Sequence, residues 1–237
     1  MMVTMKARPP LVWGPTETLS GTVPVALWHY LSSRGLGTGD ELSFVCGDDD
    51  VYRLRIVGLQ QVEVVERRPA EANPTVPVTL YVGALKGEQM TYLIQHVTEL
   101  GLTRLVPMET ERSIRRLPFK SQPRWQQTAW DGAAVCGRSR PVVVAPGMRL
   151  AQALDEAQGG VLFQERAPDL PEASQVLPAS ALFVGPEDGF SDAEVAAAVA
   201  AGVQCCTLGP RMLRALTAAV AATTLALYFS KGSNSRE

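Results

Sequence analysis

The stretch that decides the fold is Leu182-Phe183-Val184-Gly185-Pro186-Glu187-Asp188-Gly189-Phe190-Ser191, followed by a second stretch, Leu208-Gly209-Pro210-Arg211-Met212-Leu213-Arg214. Each follows an apolar strand and continues through a loop containing Gly and Pro into a helical pattern. In an α/β sheet, ligands bind outside the carboxyl ends of strands, because helix N-termini there present unpaired N–H groups. Gly and Pro let the backbone itself line such a site. The two loops therefore predict a nucleotide-sized pocket.

From residue 78 onward, predicted strands and helices alternate. The strands are expected at residues 78–84, 104–108, 142–145, 160–164, 181–184 and 203–207. The helices are expected at residues 88–100, 123–136, 151–157, 192–201 and 211–229, with Gly101 as a C-cap and Ser191 and Glu194 as a capping box. This order predicts an α/β fold with a mainly parallel sheet covered on both faces.

The first 72 residues have a different pattern. Alternating or β-branched runs at residues 41–46, 51–57 and 61–67 predict short strands and a small β-rich domain. Residues 70–77 include Asn73-Pro74 and a second proline, which is typical of an interdomain linker. The sequence thus predicts two domains, residues 1–72 and residues 73–237.

Composition and short motifs exclude several classes of protein. With 237 residues and 46% hydrophobic content, the chain can form a packed core. It has no apolar run of about 20 residues and no apolar signal-peptide core near its N-terminus, so we expect a cytoplasmic protein. The four cysteines lack C-x-x-C spacing, which favours reduced thiols and no metal site. No G-x-G-x-x-G follows the first strand of the α/β region, which argues against a Rossmann-type dehydrogenase.

Charge is unevenly distributed along a chain whose net charge is −2. Between residues 104 and 140 there are eight basic and three acidic side chains, a local balance of +5. Such a segment can meet phosphates, although a solvated loop explains the same charges equally well.

The two loops and their order resemble the RsmE-type 16S ribosomal RNA uridine N3-methyltransferases of the SPOUT class. That family has G-P-E-G-G-F/L-S-x-x-E in the first loop and L-G-x-R-x-L-R-x-E-T-A in the second. The matching residues are Gly185, Pro186, Glu187, Gly189, Phe190, Ser191 and Glu194, then Leu208, Gly209, Arg211, Leu213, Arg214, Thr217 and Ala218. Upstream, Lys86-Gly87-Glu88, Glu99-Leu100-Gly101, Glu111-Arg112-Ser113 and Cys136-Gly137-Arg138 follow in family order. The resemblance spans residues 78–230.

The resemblance implies a fold, a cofactor and partners. It implies a trefoil-knotted domain threaded by the last helix, a PUA-like β-barrel that grips RNA, and a homodimer. It also implies S-adenosylmethionine as cofactor and the small ribosomal subunit as target, without a metal. The cofactor would be bound by Val184, Gly185, Pro186, Glu187, Asp188, Leu208, Gly209, Pro210, Met212 and Leu213. RNA would be bound by Arg112, Arg115, Arg116, Arg138 and Arg140, and removal of the first three is expected to leave cofactor binding unchanged.

Methyl transfer from a sulfonium depends on positioning more than on acid or metal catalysis. Uracil N3 carries a proton at neutral pH, so cationic or N–H donors near the carbonyl oxygens must favour its anion. Arg214 is the candidate for that role, with a structural role as the alternative, and Glu187 is a loop acceptor or a base. The two histidines, His29 and His96, fit no catalytic pattern.

The chain departs from the family pattern at several positions. Leu216 replaces a glutamate, Ala134 and Val135 replace E-Q, Asp188 replaces a glycine, and Ser32 and Gly35 stand where relatives have arginines. Slow methylation and RNA or ribosome binding without catalysis are therefore both open at this point.

Overall fold

The computed structural model describes residues 10–117, 122–164 and 179–232. Two compact units make up the chain. The N-terminal unit runs to Asn73 and also includes residues 133–141, and the C-terminal unit consists of residues 74–132 and those from 142 onward. The domains 1–72 and 73–237 expected from the sequence stay a prediction, and that division placed residues 133–141, which carry no sequence signal of the first unit, in the second domain.

A four-stranded sheet forms the N-terminal unit. Its strands, in spatial order, are β1 (Leu11–Trp13), β2 (Glu41–Val45), β3 (Asp50–Gly58) and β4 (Gln61–Pro69). The first pair is parallel and the other two pairs are antiparallel. The core includes Phe44, Leu54 and Ile56, all at most 1% exposed. Closure into a barrel stays a prediction.

Helix α1 (Val25–Ser33) follows Pro24 in the same unit and was not predicted. Leu27, Trp28 and Leu31 have helical spacing and pack on the core of this unit, but only Leu31 is fully buried. The remaining surface includes Tyr30, 44% exposed, with the Arg34 guanidinium 5.2 Å from its ring centre.

The segment 133–141 is attached to this unit by side-chain hydrogen bonds. The Asn73 side-chain oxygen accepts from the Ser139 and Arg140 backbone N–H groups, both at 3.1 Å. The Asn73 amide also donates to Ser139 Oγ at 2.8 Å. Ser139 Oγ bonds the Asp48 carbonyl, and Arg140 pairs with Asp49. Asn73 is thus an anchor between two parts of the chain that are distant in sequence.

The C-terminal unit is a parallel sheet with helices. Its elements, in chain order, are β5 (Thr79–Gly83), α2 (Gln89–Leu100), β6 (Arg104–Glu109), α3 (Gln122–Cys136), β7 (Val143–Val144), β8 (Met148–Arg149), α4 (Leu150–Ala157), β9 (Gly160–Phe163), β10 (Ala181–Val184), α5 (Asp192–Ala200), β11 (Val203–Cys206) and α6 (Ala215–Gly232). The strand order is β11-β9-β10-β5-β6-β7, and β8 pairs with β6. Every pair is parallel, which confirms the α/β prediction.

Two apolar clusters cover the faces of this sheet. On one face, Leu80 and Val82 of β5 pack with apolar residues of α2, α3 and α6. On the other, Tyr81 packs with residues of α4 and α5 and stacks on Phe183, their ring centres 4.8 Å apart. The alternation along β5 follows from the two-residue period of a strand.

The helix ends test several predictions. Gly101 caps α2 at φ 107°, and Ser191 and Glu194 form the capping box of α5, so both predictions are confirmed. The last helix begins at Ala215, not at Arg211, and that prediction was wrong at its start. Its first backbone bond there runs from the Ala218 N–H to the Arg214 carbonyl, so the preceding residues remain in the loop.

Within the described ranges, no helix has the length and apolar character that a membrane crossing requires. All four cysteines are free thiols, with Cys206 buried and the other three partly buried.

Candidate functional site

The candidate site lies at the carboxyl ends of the parallel strands of the C-terminal unit. Strands β5 and β10 are neighbours in the sheet. The strand that follows β5 along the chain, β6, lies on one side of this pair, and the strand that follows β10, β11, lies on the other side. Ligands bind in α/β sheets at such a point, where consecutive connections diverge and leave a crevice. The loop after β10, residues 185–191, therefore lies where the sequence places the first half of the pocket.

The beginning of the 185–191 loop passes directly over the end of β5. A Cβ atom added to Gly83 would lie 2.3 Å from the backbone nitrogen of Pro186, so only glycine fits there. Within the loop, the Gly189 N–H donates to the Pro186 carbonyl at 2.9 Å. Gly185 and Pro186 are buried, whereas Glu187 and Asp188 are exposed. The loop thus has a fixed base and a solvent-facing tip.

Two carboxylates connect this loop and its helix to neighbouring strand ends. Glu187 Oε1 accepts the backbone N–H of Lys86, just after β5, at 2.8 Å. Glu194, 8% exposed, accepts the Ser191 N–H with one oxygen and the Glu111 N–H with the other, at 2.9 and 2.8 Å. Each carboxylate therefore fixes a loop through backbone N–H groups.

The second predicted loop, residues 207–214, follows β11 at the same edge of the sheet. Gly209 has φ 105°, and Thr207 Oγ1 donates to its carbonyl at 3.0 Å. An added Cβ there would meet nothing closer than an Arg211 nitrogen at 3.8 Å. Met212 is 81% exposed, and Leu208 packs partly against the core. The loop leaves open space beside Gly209 and presents an apolar side chain.

Arg214 ends this second loop immediately before α6. Its side chain is exposed, and no hydrogen bond or ion pair joins it to another residue in the described part of the chain. No described residue therefore takes up the five N–H donors of this guanidinium.

The segment 109–117 follows β6 and contains three of the predicted RNA-binding arginines. Arg112 Nη1 donates to the Asp188 carbonyl at 3.0 Å, and Arg115 Nη2 donates to the Gly87 carbonyl at 3.4 Å. Arg116 pairs with Glu109 at 3.3 Å. The pKa of Glu109 is lowered, mainly because the Leu117 N–H donates to its carboxylate. Arg112 and Arg115 bond neutral carbonyls, so their positive charge is not compensated there.

The remaining two predicted RNA-binding arginines lie in the N-terminal unit. Arg138 is only 2% exposed, and burial lowers its pKa, so this side chain does not belong to the exposed basic surface that the sequence predicted. Arg140 pairs with Asp49, which offsets its charge. The expectation that Arg138 binds RNA does not fit this burial, about which a count of charges along the sequence carries no information.

A partly exposed polar contact lies on the other face of the sheet. Glu156 accepts hydrogen bonds from Arg104 Nη1 and from the Tyr81 hydroxyl, the latter at 2.8 Å. The pKa of Glu156 is lowered, chiefly by the Arg104 bond, and the pKa of Tyr81 is raised by burial first and by this carboxylate second. This contact ties α4 to β5 and β6.

No group of three or more His, Cys, Asp or Glu side chains suited to a metal occurs in the described ranges. His96 bonds its own helix, with Nδ1 2.6 Å from the Tyr92 carbonyl, and His29 is exposed on α1. Neither histidine lies on the loops of the candidate site.

Several residues that shape the site have no recognisable signal in the sequence. Gly83 gave no signal because its close approach to Pro186 is a tertiary contact. Lys86 and Glu111 act through backbone N–H groups, which every residue type provides. Glu194 was recognised as a capping residue, but its bond to the Glu111 N–H joins positions 83 residues apart.

The fold and the site can now be compared with known proteins. A family model described as an RNA methyltransferase domain matches residues 71–227. The ribosomal RNA small subunit methyltransferase E of a Synechocystis strain is 31% identical over 222 residues, 88% of this chain and 73% of that protein.

Solved structures give the same fold. The ribosomal RNA small subunit methyltransferase E of Neisseria gonorrhoeae, bound to S-adenosyl methionine, matches with a TM-score of 0.81, 24% identity and coverage of 91% of this chain and 95% of that one. A putative methyltransferase from Legionella pneumophila, in complex with the cofactor SAM, matches with a TM-score of 0.78, 25% identity and coverage of 94% and 98%.

A parallel sheet with loops at a diverging strand pair defines an α/β class of protein whose ligand site lies at the carboxyl ends of the strands. The family model covers well over half of the chain and the match to the Synechocystis protein covers most of it. The chain belongs to the RNA methyltransferase family, among the relatives of the ribosomal RNA small subunit methyltransferase E proteins.

Proposed function

We propose that this protein transfers the methyl group of S-adenosylmethionine to N3 of a uridine in 16S ribosomal RNA, in the cytoplasm. The observation that carries the proposal is the 185–191 loop, held over the end of β5 at the diverging strand pair. The choice of cofactor is supported by two structures of this fold that contain bound S-adenosylmethionine.

The residues at the strand ends fit a cofactor with a nucleoside part. Gly185, Pro186 and Gly209 let backbone groups approach a ligand, and Gly209 has open space on its Cβ side. Leu208, Met212 and Leu213 supply apolar surface for an adenine ring. In this proposal the cofactor is bound by residues 184–188 and by residues 208–210, 212 and 213. The bound cofactor supplies an electrophilic methyl group on a sulfonium.

Arg214 is the residue we propose for catalysis. Its exposed guanidinium, with no partner in the described part of the chain, donates hydrogen bonds to a uracil carbonyl oxygen while the N3 proton passes to solvent water. That interaction lowers the free energy of the uracil anion, which is the nucleophile. Glu187 is not assigned as the base, since its carboxylate already accepts the Lys86 N–H at 2.8 Å. Its proposed role is to hold the loop.

RNA contacts are proposed for Arg112 and Arg115. Each uses one of its five N–H donors on a backbone carbonyl, so the others remain for phosphate oxygens. Arg116 and Arg140 contribute less, because carboxylates offset their charges. The N-terminal unit is proposed as a PUA-like RNA-binding domain of residues 1–72.

The finer architecture is also proposed from the family. Ala219, Ala222 and Ala226 of α6 are fully buried, and such small residues suit a helix that passes through a trefoil knot. Apolar side chains also remain exposed on the pair α2 and α6, with Tyr92 at 48% and Tyr228 at 73%. A homodimer would bury them, as exposed apolar patches often mark interfaces.

Nucleoside mass spectrometry of 16S ribosomal RNA tests the proposal, using cells with and without this chain and purified RNA incubated with the protein. Loss of 3-methyluridine without the chain, restored by adding it, supports the reaction. An unchanged nucleoside profile in both experiments refutes it.

A second candidate is RNA or ribosome binding without catalysis. It is favoured by Leu216, where the family has a glutamate and this chain packs an apolar side chain against the core cluster. Cofactor and RNA binding with no methylated product, under conditions where the Synechocystis relative produces it, would select this candidate.

A further inference from the structure

The Arg112 guanidinium makes a contact that the proposed RNA-binding role does not require. Its Nη1 donates to the Asp188 carbonyl at 3.0 Å, across 76 positions of sequence. Asp188 lies at the exposed tip of the 185–191 loop, beyond the residues that are fixed by burial. The contact therefore joins a predicted RNA-binding side chain to the backbone of the proposed cofactor loop.

The other hydrogen bonds of the 185–191 loop hold its two ends and not its tip. Glu187 holds one end by accepting the Lys86 N–H, and the Glu194 capping box holds the Ser191 end. Between them, the Gly189 N–H bond to Pro186 is internal to the loop. Arg112 thus supplies the side-chain contact to the Asp188 carbonyl from outside the loop.

The segment that carries Arg112 is itself held firmly. Thr110 and Ser113 are both 3% exposed and bond each other, with Thr110 N donating to Ser113 Oγ at 3.0 Å. The Glu111 N–H donates to the buried Glu194 carboxylate at 2.8 Å. Arg112 therefore extends from an ordered turn, which limits the entropy lost when its side chain holds the loop.

We propose that Arg112 is a positioning residue, which holds the tip of the 185–191 loop in the conformation that binds the cofactor. The effect on cofactor affinity rests on the proposed function, whereas the effect on the loop does not. This revises the expectation that Arg112 acts on RNA alone and that its removal leaves cofactor binding unchanged.

The experiment compares Arg112→Ala and Arg112→Lys with the parent in the absence of RNA. Arg124→Ala is the matched control, because it removes the same charge from an exposed position on α3. Calorimetry with S-adenosylmethionine is expected to show about tenfold weaker binding for Arg112→Ala, since a hydrogen bond from a charged group is lost. Arg112→Lys is expected to bind with intermediate affinity, and Arg124→Ala like the parent.

Hydrogen exchange of the free proteins provides the second measurement. The Gly189 amide is expected to exchange faster in Arg112→Ala, while amides of β10 keep the parent rate. Parent-like exchange at Gly189 overturns the positioning role, and so does parent-like cofactor affinity in both Arg112 variants. If Gly189 exchanges faster but the parent itself does not bind S-adenosylmethionine, the positioning of the loop stands and the proposed function fails.

Discussion

Substitution of Gly83 by Ala should displace the 185–191 loop. The new Cβ would lie 2.3 Å from Pro186 N, 2.6 Å from Pro186 Cδ and 2.8 Å from Pro186 Cα, whereas ordinary van der Waals contact begins at 3.4 Å. All three atoms belong to backbone or to the proline ring, so no flexible side chain can move aside. The loop must therefore shift by roughly 1 Å, and a misplacement of that size can reduce an enzyme's rate about 100-fold.

The same substitution should lower the free energy of unfolding by about 1–3 kcal/mol, the usual cost of overpacking. Urea denaturation followed by circular dichroism measures this, and calorimetry measures the expected loss of S-adenosylmethionine affinity. Gly87→Ala is the matched control: it lies in the next loop, and its Cβ would meet no atom within 4 Å, although φ 54° adds some strain. If Gly83→Ala is as stable as the parent and binds the cofactor equally well, the close approach does not fix the loop.

Three further predictions follow from other contacts. Glu194→Gln should lower the free energy of unfolding by about 1–2 kcal/mol, because the side-chain NH2 replaces one of the two oxygens that accept the Ser191 and Glu111 N–H groups. Equal urea midpoints for the variant and the parent would contradict this. The pKa of Glu156 is lowered in the folded state, so its hydrogen bonds should contribute to the free energy of unfolding above pH 4.5 and stop doing so as the pH falls through the folded pKa. Because the Glu156 side chain is 42% exposed, this contribution should stay under about 1 kcal/mol. A stability difference between the parent and Glu156→Gln that does not change with pH would refute this. Leu216→Glu places a carboxylate in the first turn of α6, where the helix dipole favours a negative charge by about 0.3–1 kcal/mol. This substitution should speed methyl transfer without changing the affinity for the cofactor. An unchanged turnover number would show that position 216 has no part in the mechanism.

Local sequence patterns were sufficient to predict most helices and strands of the C-terminal unit. The apolar runs at β5, β10 and β11 and the amphipathic helix α2 each have a period or composition that one type of element explains. The Gly101 cap and the Ser191 capping box were also visible, because each depends on residues within one turn of a helix.

Features that depend on tertiary contacts were not predictable. Helix α1 is short, and its apolar face of Leu27, Trp28 and Leu31 is recognisable only once the core beneath it is known. The membership of residues 133–141 in the N-terminal unit depends on partners more than 60 positions away, including Asn73, and Arg138 is buried within this segment. Likewise, the start of α6 was placed four residues early, because 211–214 has no residue that forbids a helix.

The attachment of residues 133–141 to Asn73 also bears on protein synthesis. A ribosome adds about 5–20 residues per second, so the roughly 60 residues between Asn73 and the returning segment take on the order of 3–12 s to make. During that interval the nascent four-stranded sheet lacks the backbone N–H groups that the Asn73 side chain accepts. A chain released before residue 141 would therefore leave this unit incomplete, with Asn73 bonded to water.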